Sequence, residues 1–538
     1  MKTLNDRLAA LQASTAANTL GGILRGIEKE SLRVTPEGCL AHTSHNQRLG
    51  SALTHPEITT DFSESLLEFI TKPHSSVEGA LQQLDLIHRY TLSEIGDELL
   101  WANSMPCFLR GDDDIPVAQY GSSNVAQMKT IYRLGLGERY GRLMQTIAGV
   151  HYNFSFPDSF WQTLQTLEQH TGTLQDFKTQ RYFDLIRNFR RYFWLLLYLF
   201  GAAPAVCPSF VQGREHNLVR LGESGSSLHG PFATSLRMGD LGYQSKAQQS
   251  LVVNYNNLPD YLKTLCGAIT QPHDEYQRIG LKDSNGDYHQ LNDGVLQIEN
   301  EFYSSIRPKR TAKSGETALS ALYLRGVEYI EVRCIDLNPF APLGIEAEQL
   351  HFIDTFLLYC LLQPSPPSNT TEAQQLANNQ QAVVYNGRDP QLELMDNGKP
   401  RSLNEWATSL LTDMQPVAKL LDQSEGSHLH SGVTQKQIAK INDPSLTPSA
   451  QILETLKDKQ QSFFEFSLEK AASYATYFKR RPLEGETLDH YRRVAEQSIA
   501  DQAALEASET EDFDTYRKKF YEQYNYCQEQ AKLTHWED

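Results

Sequence analysis

The sequence predicts an α+β fold in which a mostly antiparallel sheet is covered by helices on one face and keeps the other face polar. Two observations carry this. Five short segments alternate apolar and polar residues with the period of a strand, and three long segments repeat their apolar residues with the period of a helix. An antiparallel sheet can bury one face and leave the other polar. The chain has 538 residues, 40% of them hydrophobic, enough to fill a large core.

In chain order, "RGIEKESLRV" (Arg25–Val34) sets Glu28 and Glu30 on one strand face, about 7 Å apart by strand rise. Carboxylates this close repel unless something positive lies between them. A solvated strand face and a divalent-cation site both fit these residues. "DFSESLLEFIT" (Asp61–Thr71) ends in a strand bearing Glu68, and "VEGALQQLDLIHRYTLSEIGDELL" (Val77–Leu100) has helical periodicity. "GVHYNFSF" (Gly149–Phe156) turns His151, Asn153 and Ser155 one way and Tyr152, Phe154 and Phe156 the other. "QRYFDLIRNFRRYFWLLLYLF" (Gln180–Phe200) reads as a core helix ending at Gly201. Its apolar run, Phe193–Cys207, is shorter than the roughly 20 residues of a membrane span.

"LQIENEFYSSIRPKR" (Leu296–Arg310) places Gln297, Glu299, Glu301 and Tyr303 on one strand face, and "GVEYIEVRCID" (Gly326–Asp336) groups Tyr329, Glu331 and Arg333. The helix "EAEQLHFIDTFLLYCLL" (Glu346–Leu362) precedes "QPSPPSNTTEAQQ" (Gln363–Gln375), the best candidate boundary. We therefore expect a catalytic body over residues 1–362 and a mostly helical region over 363–538 packing on it. "SHLH" (Ser427–His430) offers two histidines without further ligands and reads as a loop.

Composition narrows the function. A net charge of −17 without a basic block excludes nucleic acid as partner. Seven scattered cysteines without C-x-x-C predict free thiols in a reducing cytosol, not a disulfide framework or zinc cluster. The start, "MKTLNDRLAALQAS", lacks the apolar core of a signal peptide. A face of Glu28, Glu30, Glu68, Glu331 and His151 suits Mg²⁺ or Mn²⁺, which take oxygen ligands together with substrate phosphates. Zinc suits it less, because no H-E-x-x-H is present. No Walker A loop occurs either, so a nucleotide would be held by metals and arginines.

The segments "GIEKESLRV", "SALTHPEITTDFSESLLEFIT", "GSSNVAQMKTIYRLGL", "GVHYNFSF", "ATSLRMGDLGY", "LQIENEFYSSIRPKR" and "GVEYIEVRCIDLNPFAP" together resemble the proteobacterial type of glutamate–cysteine ligase, in collinear order from about residue 20 to about 360. The resemblance implies a fold related to glutamine synthetase, a curved antiparallel sheet forming a funnel. It implies ATP-dependent ligation of the glutamate γ-carboxylate to cysteine through γ-glutamyl phosphate, the first step of glutathione biosynthesis. The implied metal ligands are Glu28, Glu30, Asp61, Glu68, Glu98, His151 and Glu331 for Mg²⁺, with Mn²⁺ as alternative. Glu331 and Arg333 are the implied catalytic pair, and Arg333 and Arg310 the implied ATP contacts. Arg237 resembles the residue holding the glutamate carboxylate and Arg133 the one meeting the cysteine carboxylate. Phe62, Tyr132, Tyr243 and Tyr303 resemble the pocket around the cysteine side chain. The expected partners are small-molecule substrates, without nucleic acid or membrane, for a cytoplasmic monomer. Three rival readings use the same residues: a ligase for another amine, a metal-dependent phosphohydrolase and a non-catalytic metal-binding protein.

Overall fold

Strand alternation organises the centre of the computed structural model, which describes residues 3–13, 15–222, 226–242, 246–249 and 251–527. The main sheet contains β1 (Leu24–Val34), β2 (Ile58–Thr60), β3 (Leu66–Ile70), β4 (Leu99–Leu100), β5 (Val150–Ser155), β6 (Ile306–Lys309) and β7 (Tyr329–Ile335). Its order is β2-β3-β1-β5-β7-β6, open and antiparallel throughout, and β4 pairs with the far end of β1. The register sets Glu30 opposite Glu68, Glu28 opposite His151, and Glu331 opposite Asn153. Residues opposite one another share a face, so the polar residues of four strands gather on one side. Ile27, Tyr152, Phe154, Ile330 and Val332 alternate with them and are buried on the other side.

The reverse face is covered by helices, and further helices flank the polar face. Those that bear on the site are α1 (Val77–Glu94), α2 (Asn124–Tyr140), α3 (Leu174–Tyr192), α4 (Trp194–Phe200), α5 (Leu258–Thr270), α6 (Ala347–Leu362), α7 (Thr370–Asn386), α8 (Leu403–Glu425), α9 (Leu429–Asn442) and α10 (Phe513–Glu522). Helix α6 is apolar almost all round and buried from Gln349 to Leu362, wedged among α3, α8 and α9. Its one buried acid, Asp354, faces the sheet. Arg25 Nε donates to Asp354 Oδ2 at 2.7 Å, and the Tyr152 hydroxyl donates to Oδ1 at 2.6 Å. Arg25 Nη2 continues to Glu425 Oε1 on α8 at 2.9 Å, and His430 on α9 meets the same carboxylate at 3.0 Å. One carboxylate thus fastens β1 and β5 from behind.

His351, Asp354 and His430 lie close enough to suggest a cation site. Asp354 is already neutralised by Arg25, however, and His430 directs both ring nitrogens at Glu425 and the His351 carbonyl. The group is an ion-pair network, which gives His430 of "SHLH" a structural task.

Several expectations change. The helix expected to Leu100 stops at Glu94; Gly96, at φ +65°, turns the chain so that Leu99–Leu100 becomes β4. The helix expected over Gln180–Phe200 is two, α3 and α4, meeting at Phe193. Only Ile306–Lys309 of Leu296–Arg310 is a strand, and Glu299–Glu301 forms a 3₁₀ turn. Those two carboxylates find partners off the sheet. Glu301 accepts from Arg139 Nη1 at 3.0 Å and Tyr140 at 2.5 Å, while Glu299 accepts from Tyr524 and the Leu319 amide. The cysteines are not all free: Cys266 on α5 is bonded to Cys527, just beyond α10. Sequence separation of 261 residues hides such a pair, because only the fold brings the two together. No helix among the described residues is long and apolar enough to cross a membrane. Residues on both sides of Gln363, Leu357 and Leu411 among them, enter one hydrophobic core.

Asp354→Asn removes the charge shared by Arg25 and Tyr152 while keeping the shape. Breaking a buried pair from one side costs about 3 kcal/mol or more, so the denaturant midpoint should fall clearly. Glu425→Gln should cost less, because its side chain is 21% exposed. Equal losses for the two variants would show that Asp354 is not the main anchor.

Candidate active site

The face of the sheet opposite Asp354 carries two overlapping groups of ligand atoms. Glu28, His151 and Glu331 form one, and Glu30, Glu68 and His151 the other, each with atoms within 4.8 Å of one another. His151 belongs to both because β5 lies between β1 and β7. Its Nδ1 is 3.3 Å from Glu28 Oε2 and 3.9 Å from Glu331 Oε1, and its Nε2 is 3.6 Å from Glu30 Oε1. Arg333, two residues beyond Glu331 on the same face, places Nη1 3.1 Å from Glu331 Oε1 and 3.3 Å from His151 Nδ1. Lys309 Nζ approaches Glu331 Oε2 to 3.4 Å from the neighbouring β6.

Electrostatics divides these carboxyls into two kinds. Burial and the nearby Asp61 push the Glu30 carboxyl up to about 8, against the pull of Arg237 and Arg333. Burial, together with Glu28, Asp61 and Glu30, also pushes Glu68 well above the usual range. Burial acts on Glu331 in the same sense, but Lys309 and Arg333 hold it well below that range. Burial raises Glu28 too, but the hydrogen bond from His151 together with the charges of Lys309 and His151 leaves it lowered. His151 is lowered by burial and by Arg333. Two like-charged carboxyls directly opposite on adjacent strands repel, and the Glu30–Glu68 pair prefers a shared proton or a cation.

The donor set fits a hard divalent ion. It is carboxylate oxygen with one imidazole, and no thiolate belongs to either group. Glu331 Oε2 and Asn153 Oδ1 are buried without a hydrogen bond, leaving oxygens turned to the same face. The remaining contacts orient the ligands. Asn153 Nδ2 donates to Glu28 Oε1 at 2.8 Å, and the Gly149 amide donates to Glu30 Oε2 at 2.7 Å. A Cβ on Gly149 would lie 2.0 Å from Arg237 Nη2, so only glycine lets the guanidinium pass this turn.

The other predicted residues fall at varied distances from these groups. Arg237 is buried and donates from Nη2 to the Arg333 carbonyl at 2.9 Å. Arg237, Tyr303 and Arg333 line one cavity of about 500 Å³. Tyr303 exchanges hydrogen bonds with Gln145 at 3.0 and 3.1 Å, and Tyr132 is partly buried against the core. Phe62 is buried in the core beside Asp61, whose carbonyl accepts from Arg133. Arg133 also stacks its guanidinium 4.6 Å from the centre of the Tyr120 ring. Tyr243 lies outside the described residues.

Glu98 and Arg310 stand apart. Glu98 sits before β4, paired with Arg33 Nη1 at 2.6 Å and accepting from Thr43 at 2.5 Å, and it joins neither carboxylate group. Its carboxylate is taken up by Arg33 and Thr43, so the structure does not bring Glu98 together with the other expected ligands. Arg310, beyond β6, faces Glu328 at 3.7 Å and Gln175 at 3.3 Å. Sequence reasoning missed Lys309 as a partner of Glu331, although "RPKR" contains it; only the β6–β7 register reveals the contact.

The glutamate–cysteine ligase family model matches residues 8–383. Curated glutamate–cysteine ligases from Saccharophagus degradans and Alcanivorax borkumensis are 53% and 52% identical, over 96% and 97% of this chain and 98% and 100% of theirs. The crystal structure of glutamate–cysteine ligase from Francisella tularensis in complex with AMP superposes with a TM-score of 0.88 at 39% identity, covering 94% of this chain and 99% of that one. A bifunctional glutathione synthetase from Pasteurella multocida shares the fold, with a TM-score of 0.69 at 24% identity over 88% of this chain and 55% of its own. The family-model match and the full-length likeness to the Saccharophagus, Alcanivorax and Francisella enzymes agree with the open antiparallel sheet and its acidic face: the chain is a ligase and belongs to the glutamate–cysteine ligase family.

Proposed function

We propose that this protein joins the γ-carboxylate of glutamate to the amine of cysteine at the expense of ATP, giving γ-glutamylcysteine, ADP and phosphate. The observation that carries this reading is the pair of carboxylate groups sharing His151, with Arg333 beside them. The reaction brings together ATP and a carboxylate, which repel one another. Divalent ions held by Glu28, His151 and Glu331, and by Glu30, Glu68 and His151 with Asp61 nearby, would offset that charge and polarise the transferring phosphoryl group. The AMP complex of the Francisella relative supports nucleotide binding.

The chain's own residues then do the following. Arg333, anchored to Glu331, meets the charge that develops on the phosphoryl oxygens. Arg237 holds the α-carboxylate of glutamate so that its γ-carboxylate points at Arg333. Arg133 receives the cysteine carboxylate, with Phe62, Tyr132 and Tyr303 around its side chain. The cysteine amine attacks the γ-carbonyl of γ-glutamyl phosphate and phosphate leaves, so the sulfur forms no bond. Incubating protein, Mg²⁺, ATP and glutamate with and without cysteine tests the whole reading. Dipeptide and ADP should appear in equal amounts only with cysteine; ADP release independent of amino acids would identify a phosphohydrolase instead.

Three substitution and substrate tests follow from the site. Glu30→Gln should reduce turnover at least about 100-fold, as expected when a group stabilising the transition state is lost. In metal-free protein the same change should leave stability unchanged or raised. Because the Glu30 carboxyl is raised from 4.5 to about 8, the folded state binds more protons than the unfolded one between those values. Its contribution therefore makes stability fall as pH rises through that window, and Glu30→Gln should reduce the slope seen in denaturant titrations. Near-normal turnover at saturating Mg²⁺ would remove Glu30 from the site.

Arg333→Lys should lower kcat more than it raises the KM for ATP, because a lysine cannot reproduce the planar fork. A change confined to KM would mean uniform binding only. 2-Aminobutyrate, with a methyl in place of the thiol, should be accepted with efficiency reduced by about 1–3 kcal/mol of discrimination, measured as γ-glutamyl-2-aminobutyrate formed per ADP. An absolute requirement for a thiol would sink this mechanism.

A further inference from the structure

Gln297, Glu299, Glu301 and Tyr303, expected on one strand face, part company in the structure. Tyr303 lines the cavity beside Arg237 and Arg333. The other three are buried, Gln297 and Glu301 completely, and neither carboxylate belongs to a cation group. Buried amide and carboxylate groups destabilise a fold unless they are paired. Here they are paired, and their partners lie on the elements that carry Tyr132 and Tyr303.

Gln297 is a bridge between those elements. Its Nε2 donates to the Tyr132 carbonyl on α2 at 3.1 Å, and its Oε1 accepts from the Leu291 amide at 2.9 Å. Its own amide donates to Glu301 Oε2 at 2.5 Å. A Cβ at position 135 would lie 2.1 Å from Gln297 Oε1, so Gly135 clears the space through which this side chain reaches α2. Glu301 makes the second connection. Its Oε1 accepts from Arg139 Nη1 at 3.0 Å and from the Tyr140 hydroxyl at 2.5 Å, at the end of the same helix. The Arg139 and Glu301 side chains are both sealed from water. Helix α2 and the turn leading into Tyr303 are thus joined at two points about two helical turns apart.

The backbone around Tyr303 is held as well. Arg307 Nη2 donates to the Asn300 and Phe302 carbonyls, and Gln248 Oε1 accepts from the Tyr303 amide at 3.2 Å. From outside, the Tyr521 hydroxyl on α10 donates to the Gln297 carbonyl at 2.8 Å. Gln297 and Glu301 do not line the cavity themselves. They can act on a bound molecule only through the residues they hold.

We propose that Gln297 and Glu301 are positioning residues that set the spacing between Tyr132 and Tyr303, and with it the affinity for the amino acid whose amine attacks. This rests on the functional reading above, in which those two tyrosines surround the acceptor side chain. It gives the buried polar residues of "LQIENEFY" a task distinct from the ligands on the sheet.

The test separates the KM for the acceptor from every other constant. Gln297→Met keeps the length of the side chain and removes both of its hydrogen bonds. Glu301→Gln keeps an oxygen toward Arg139 and removes the charge. Each should raise the KM for cysteine and for 2-aminobutyrate roughly tenfold, the scale of one or two hydrogen bonds. The kcat and the KM values for glutamate and ATP should stay within about twofold. Glu301→Ala, which leaves Arg139 and Tyr140 without that oxygen, should raise the acceptor KM further than Glu301→Gln. Tyr521→Phe is the control: it removes a hydroxyl outside both bridges to α2, so it should lower the denaturant midpoint while leaving the acceptor KM within about twofold. An acceptor KM that stays at the parent value in Gln297→Met and Glu301→Gln overturns the proposal. So does a fall in kcat alone, or a parallel rise of all three KM values, since either marks a merely structural effect. Parent protein that makes no γ-glutamylcysteine would instead overturn the functional reading, and the proposal with it.

Discussion

The fold rests on a tension between the two faces of β1. On one face Glu28 and Glu30 meet further carboxylates from β3 and β7 across a gap of a few ångströms. Left to themselves these groups would push the strands apart or take up protons. On the other face Arg25, Tyr152 and Asp354 lock β1 to β5 with short hydrogen bonds that are sealed from water. The geometry of the ligands is thus set by an ion pair that never meets a substrate. This division suits a cation-binding face: the strain of assembling like charges is carried by helices α6, α8 and α9, and the charged side chains stay free to meet ions.

The same economy explains Lys29, which lies between the two glutamates in sequence but points to the helix side. Its ammonium group meets the His88 ring, at 2.7 Å, and burial lowers its pKa to about 7. A lysine there does not neutralise Glu28 or Glu30, because strand alternation turns it away from them. What the sequence shows as a mixed-charge "EKE" is, in three dimensions, two acids on one side and a weakly basic amine on the other.

That alternation is also why much of the site was legible. Glu28, Glu30, Glu68, His151 and Glu331 lie on strands where period two decides the face, and their gathering follows once the strands pair. Legibility fails where a side chain's partner is remote. Glu301 looked like a member of the acidic face until Arg139 on α2 claimed it, and Glu98 belongs to Arg33. Cys266 and Cys527 gave no local sign of each other.

The placement of β1 at the centre of the sheet bears on how the protein is made. It is the first strand of the sheet to leave the ribosome, yet its far-side complement is among the last. Glu331 follows Glu28 by roughly 300 residues, which at about 5–20 residues per second is a delay of roughly 15–60 s. During that interval the nascent β1–β3 hairpin would bring Glu30 and Glu68 together with neither Asp354 behind them nor β7 beside them. A chain ending before residue 354 would carry all five of the ligands in the two groups and lack the Asp354 anchor behind them.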